Sequence, residues 1–201
     1  MPVKTDREYR SIVEFGVEER ENTNTYTVVG YASTFDSYTL MTIDGVDYKE
    51  RIERHAFDMS DMSDVIFQYD HTGKVLARTS NKTLKIEIDE HGLKVTADLS
   101  TTAASRELYE EIKSGLITKM SFAFKVGTDH YESNSHTRVV DTITKVYDVS
   151  AVSIPANPDT EISSRNYFNG VIEAEKAERL ESERKENVKK ALKLKLKLME
   201  V

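Results

Sequence analysis

The chain has 201 residues, 38% of them hydrophobic and 31% charged, with a formal net charge of −7 and no cysteine. The acidic balance argues against a general nucleic-acid binder, whose affinity rests on a basic face that neutralises phosphates, and the missing thiols exclude cysteine catalysis, disulfides and thiolate metal sites together. No apolar run is long enough to span a bilayer and the opening stretch MPVKTDREYR is polar, so neither a membrane span nor a signal peptide is predicted. The length suits one main domain with an appendage, and the lack of cysteine fits a reducing interior.

Residues 7 to 17 and 25 to 34 read as the first two strands, the second rich in β-branched and aromatic side chains, with a polar turn over Glu18 to Asn24 between them. Tyr38 to Ile43 predicts a further strand that turns at Asp44-Gly45, and Tyr48 to Ile52 continues the sheet. Arg54 to Asp58 opens a short looped or helical segment. Val65 to Tyr69 predicts a strand running into Asp70-His71-Thr72-Gly73, so His71 sits at a strand end, where loops carry functional groups on a rigid scaffold. Strict alternation places His71 on the face of Val65, Phe67 and Tyr69 unless the turn at Gly73 breaks the phase.

Leu84 to Ile88 and Leu93 to Leu99 form the clearest hairpin, turning through Asp89 to Gly92, and His91 reads as a turn residue. Thr101 to Ser114 predicts a helix with Leu108 and Ile112 on one face and Gly115 as its stop. The next run alternates: Met120, Phe122, Phe124 and Val126 point to the core, and Lys119, Ser121, Ala123 and Lys125 point the other way. Ser121 is thereby expected on the polar, solvent-facing side of a rigid strand.

Gly127 to Thr137 reads as a polar loop holding His130 and His136, whose spacing fits no metal motif. Val139 to Ile154 predicts a long strand. Asp148 lies at the entrance to its buried end, with Val146 and Val152 on its own face, where a carboxylate needs a partner; the other reading places it near a strand edge, solvated or bound by a backbone amide. Pro155 to Thr160 closes the sheet. Beyond about residue 165 the composition changes to densely mixed acid and base, the mark of a solvated helix. The alternating Leu and Lys of residues 192 to 198 suit a strand face and a basic end that seeks a partner.

His71, Ser121 and Asp148 together supply a base, a hydroxyl and an acid. A serine hydroxyl is a poor nucleophile at neutral pH and needs a base to take its proton, and that base needs a group to hold its tautomer. Glu132, Asp141 and His136 remain alternatives for the third member. No G-x-S-x-G elbow is present.

In these residues the chain resembles the prohead serine proteases of tailed phages, a family related in fold to the herpesvirus assemblins. The resemblance is carried by Glu53-Arg54-His55-Ala56-Phe57-Asp58, Tyr69-Asp70-His71, Leu76-Ala77-Arg78-Thr79 and His91-Gly92-Leu93. It continues through Met120-Ser121-Phe122-Ala123-Phe124, Asp148-Val149-Ser150 and Pro155-Ala156-Asn157-Pro158, so that it spans roughly residues 25 to 162. The family often has Gly where this chain has His55, Ala77 and Ala123, and Ala123 is expected to narrow the cleft beside Ser121.

The resemblance implies a closed antiparallel β-barrel ringed by helices, and the change of composition near residue 165 sets the expected bounds of that domain at 1–165 and of a charged tail at 166–201. It also implies His71 as base, Ser121 as nucleophile and Asp148 as the acid, with no cofactor and no metal. The expected activity is that of a serine endopeptidase. Its substrate would be the major capsid protein or its scaffold segment, and itself, inside the assembling prohead in the bacterial cytoplasm. A homo-oligomer or dimer is expected, with no membrane or direct nucleic-acid partner. The rival reading is a scaffolding protein that keeps the barrel without the activity. The oxyanion hole is expected from backbone amides or water near the Pro155 to Thr160 loop.

Overall fold

The structure is a computed structural model that describes residues 7–14, 16–17, 26–153 and 158–199. The polar turn expected over Glu18 to Asn24 and the residues Pro155 to Asn157 lie outside the described residues.

Eleven strands and two helices follow one another along the described chain. They are β1 (Glu8–Glu14), β2 (Gly16–Val17), β3 (Thr27–Thr34), β4 (Tyr38–Ile43), β5 (Val46–Ile52), β6 (Ile66–Tyr69), β7 (Thr72–Arg78), β8 (Leu84–Ile88), β9 (Gly92–Asp98), α1 (Ala103–Lys113), β10 (Lys119–Glu132), β11 (Thr137–Val152) and α2 (Pro158–Met199).

The strands form two sheets. A seven-stranded sheet runs β1-β10-β11-β5-β4, with β6 paired to β11 and β7 to β6, and a four-stranded sheet runs β2-β3-β9-β8. Neither sheet closes on itself through its described hydrogen bonds, so the fold is mainly β with two helices rather than the single closed barrel expected. Nor is it purely antiparallel. One edge of β11 pairs along its length with β10, and the other takes β5 and then β6, both parallel to it. The run from β1 to β2 passes from one sheet to the other, which joins them at a corner.

Local chemistry explains most of the turns. Asp44 and Gly45 both have positive φ, 51° and 80°, between the paired Ile43 and Val46, the geometry that an Asp-Gly hairpin favours. Thr102 caps α1 by accepting from the Ser105 amide at 3.0 Å, and Gly115 ends the helix in the left-handed region at φ 77°. The Ser105 hydroxyl also donates to the Leu76 carbonyl at 3.0 Å, which ties α1 to β7.

The core lies between the sheets. Met120, Phe122 and Phe124 of β10 are fully buried with Phe67, Leu93, Val95 and Val149, and the rings of Phe122 and Phe124 stack at 4.4 Å. One end of the interior is charged. Arg10 lies between Glu8 and Glu50, at 2.6 and 2.5 Å, and Arg138 bonds both oxygens of Glu8, at 2.7 and 2.9 Å, as well as Asp129 at 2.8 Å. All four of Glu8, Arg10, Glu50 and Arg138 are buried. Burial alone would raise the Glu8 carboxyl, but Arg10 and Arg138 outweigh it and bring it down from 4.5 to about 2.

Two expectations are corrected here. The stretch Gly127 to Thr137 is not a loop: β10 continues to Glu132 and pairs with β11 from Thr137, leaving only residues 133–136 as the turn. Its polarity is accommodated because Asp129 pairs with Arg138 while His130 and Asp141 face solvent. The Leu and Lys repeat is helical, since α2 continues to Met199. Leu and Lys are good helix formers, and no strand among the described residues is paired with this run. Tyr167, Phe168 and Val171 of α2 are buried against Tyr48, and the Tyr167 ring lies 4.3 Å from the Arg138 guanidinium.

Candidate active site

The hairpin between β6 and β7 has a two-residue loop, Asp70-His71, closed by the pairing of Tyr69 with Thr72. Both loop residues are left-handed, with φ of 47° and 55°, and Gly73 follows at 80°. Asp and His are among the side chains that tolerate this region best. The turn breaks the strand's alternation, so His71 leaves the core face on which Phe67 is buried. Asp70 fixes the loop against the end of β11. Its amide donates to the Ala151 carbonyl at 2.9 Å, and its two carboxylate oxygens accept from the Ser153 amide and hydroxyl, each at 2.8 Å.

Ser121 comes from the middle of the seven-stranded sheet. Across the ladders it stands opposite Ser150, and Ala123 stands opposite both Asp148 and Tyr9. Directly paired residues share a face, so Tyr9, Ser121, Ala123, Asp148 and Ser150 form one surface on the side away from Phe122 and Phe124. The parity expected for Asp148 is corrected at this point. The register shifts between Ala123 and Phe124, which puts one extra residue, Tyr147, into β11. Val146 therefore pairs with Phe124 on the core side, and Asp148 turns the other way.

His71 bridges the two groups. Its Nδ1 lies 2.5 Å from Asp148 Oδ1 and its Nε2 lies 2.7 Å from Ser121 Oγ. A carboxylate only accepts, so Nδ1 carries the proton donated to Asp148 and Nε2 of the neutral ring accepts the Ser121 hydroxyl. The Tyr9 ring packs against the imidazole at 4.7 Å with the planes 70° apart. The site is more enclosed than the sequence suggests. Ser121 is 3% exposed, against the expectation of a solvated polar face: the His71 imidazole lies over it, and the Tyr9 ring from β1 packs against that imidazole. Ala123 is fully buried, so its methyl forms part of the floor.

The other candidates lie elsewhere. Asp141 is seven residues before Asp148 on β11, roughly 23 Å along the strand, and both its oxygens bond His130 at 3.0 Å. Glu132 faces Arg51 at 3.4 Å, and His136 Nδ1 meets the Tyr131 hydroxyl at 3.0 Å. Among the described residues no group of three His, Asp or Glu side chains is placed to hold a metal. No helix is long and apolar enough to cross a membrane among those residues.

Two contributors were not singled out in the sequence. Ser150 donates to Asp148 Oδ1 at 2.9 Å, a contact that strand parity permits because the two residues are two apart on one strand. Tyr9 gave no signal, since only the pairing of β1 with β10 brings it to the site.

No curated protein and no solved structure matches the chain. A family model does, over residues 13–173, and its description is caudovirus prohead serine protease. With most of its length matched, the chain belongs to the caudovirus prohead serine protease family.

Proposed function

We propose that this protein is a serine endopeptidase that cuts capsid or scaffold protein, and itself, during prohead maturation. The observation that carries the reading is His71 held between Asp148 and Ser121 at hydrogen-bonding distance on both sides. Ser121 Oγ attacks the scissile carbonyl while His71 Nε2 takes its proton. The imidazolium so formed is stabilised by Asp148, and His71 then gives the proton to the departing amine. Water repeats the sequence on the acyl-enzyme, releasing the acid and restoring Ser121. The protease acts inside the assembling shell in the host cytoplasm, and the charged part of α2 beyond the packed residues Tyr167, Phe168 and Val171 delivers it there.

The test is co-expression with the capsid protein of the same phage, followed by mass measurement of that protein. Wild type is expected to yield a shortened capsid protein, and Ser121→Ala the full-length one. Identical masses in the two would support the rival reading, a scaffold with a protease-like fold.

A further inference from the structure

We propose that Ser150 is a fourth, positioning member of the site, a fixed donor that holds the Asp148 carboxylate in line for His71; this rests on the catalytic reading of His71, Ser121 and Asp148. Ser150 is fully buried and Asp148 is 2% exposed, so neither group has water available to replace a lost contact. The Ser150 hydroxyl donates at 2.9 Å to Oδ1, the same oxygen that accepts His71 Nδ1 at 2.5 Å.

The position of Ser150 is fixed by the fold. It shares a face with Asp148 on β11, and its backbone is laddered on both sides, to Ser121 of β10 and to Gln68 of β6. A carboxylate with a single donor on Oδ1 is free to turn about its last torsion, which is broad for Asp. A second donor on that oxygen, delivered from a rigid strand, removes the freedom. The ring is then held in one tautomer and orientation before substrate arrives, which is the condition for efficient proton transfer. Ser150 touches no reacting atom, and its effect passes through Asp148 and His71.

The experiment compares wild type, Ser150→Ala, Ser150→Thr and Ser150→Cys by two readouts. The first is the proton NMR signal of the His71 Nδ1 hydrogen, which needs no substrate. The second is the rate of phosphonylation by a fluorophosphonate probe. In Ser150→Ala the Nδ1 signal is expected to broaden and exchange faster with solvent, and phosphonylation to slow about tenfold, as the loss of one charge-assisted hydrogen bond implies. Ser150→Thr, which keeps the hydroxyl, should recover both, whereas a purely space-filling role would be restored equally by Ser150→Cys. An unchanged signal and rate in Ser150→Ala would overturn the proposal. Should that variant not fold, Ser150→Cys with the signal and rate of wild type would overturn it as well. A wild-type protein inert to the probe would count against the protease reading, and the NMR comparison would still decide the part played by Ser150.

Discussion

His71 Nε2 lies 2.7 Å from Ser121 Oγ, although 50 residues separate them and simple strand alternation sends the two side chains to opposite faces. Two left-handed residues at the tip of one hairpin resolve the conflict. They turn the imidazole off the core face and over the neighbouring strands, while Asp70 pins the tip to Ser153.

Asp148→Asn is expected to keep the geometry and lose most of the rate. An amide at that position favours the wrong imidazole tautomer, which in a comparable triad costs about 10⁴-fold. Single-turnover kinetics on a cleavable peptide, with a crystal structure of the variant, checks both halves. A rate within a few fold of wild type would remove Asp148 from the mechanism.

His71→Ala is expected to match Ser121→Ala in severity, because base and nucleophile act as a unit and removing either removes the step. The double variant should be no slower than either single one. Additive losses in the double variant would contradict the shared step.

Stability should fall in acid through Glu8. Its folded-state pKa of about 2 lies below the ordinary 4.5, so its contribution is complete above about pH 4.5 and is lost as pH drops towards 2. The size of that loss is about 3 kcal/mol. Urea unfolding across this range should show the decline, and Glu8→Gln should flatten it while lowering stability at pH 7, since Arg10 and Arg138 then lose a buried partner. A wild-type curve that is level between pH 5 and 2, the approximate range of carboxylate titration, would contradict the assignment.

The place where α2 is cut should decide whether the domain survives. Ending the chain after Ile172 keeps Tyr167, Phe168 and Val171 packed on Tyr48, and the domain is expected to fold. Ending it after Asn166 removes all three and leaves Arg138 without the Tyr167 ring, at a cost of about 3–5 kcal/mol for Phe168 alone. Thermal unfolding of the two truncations distinguishes these outcomes, and equal melting temperatures would show that Tyr167, Phe168 and Val171 contribute nothing to the fold.

Much of this was legible in the chain because the signals were local. The strand over Met120 to Val126, the Asp-Gly turn at Asp44 and the Gly115 stop each depend on neighbours within a few residues, and each appears where expected, although the face of Ser121 and Ala123 is buried rather than solvated. His71, Ser121 and Asp148, which the structure brings within hydrogen-bonding distance, were singled out as chemical types at strand positions and ends. What alternation missed was phase. The bulge at Tyr147 and the left-handed pair Asp70-His71 each reverse the direction of a side chain, and neither leaves a mark in hydrophobic periodicity. The buried ion network was out of reach for another reason. Arg10 meets Glu50 across 40 residues and Arg138 meets Glu8 across 130, so only the paired strands make these charges neighbours.

A Ser121 hydroxyl activated by His71 can be trapped covalently. The measurement is the mass of the protein and of its Ser121 peptide after exposure to a fluorophosphonate. One adduct on Ser121 is expected in wild type, none in Ser121→Ala, and a strongly reduced rate in His71→Ala. A wild-type protein that stays unlabelled, or a label that persists in Ser121→Ala, would contradict it.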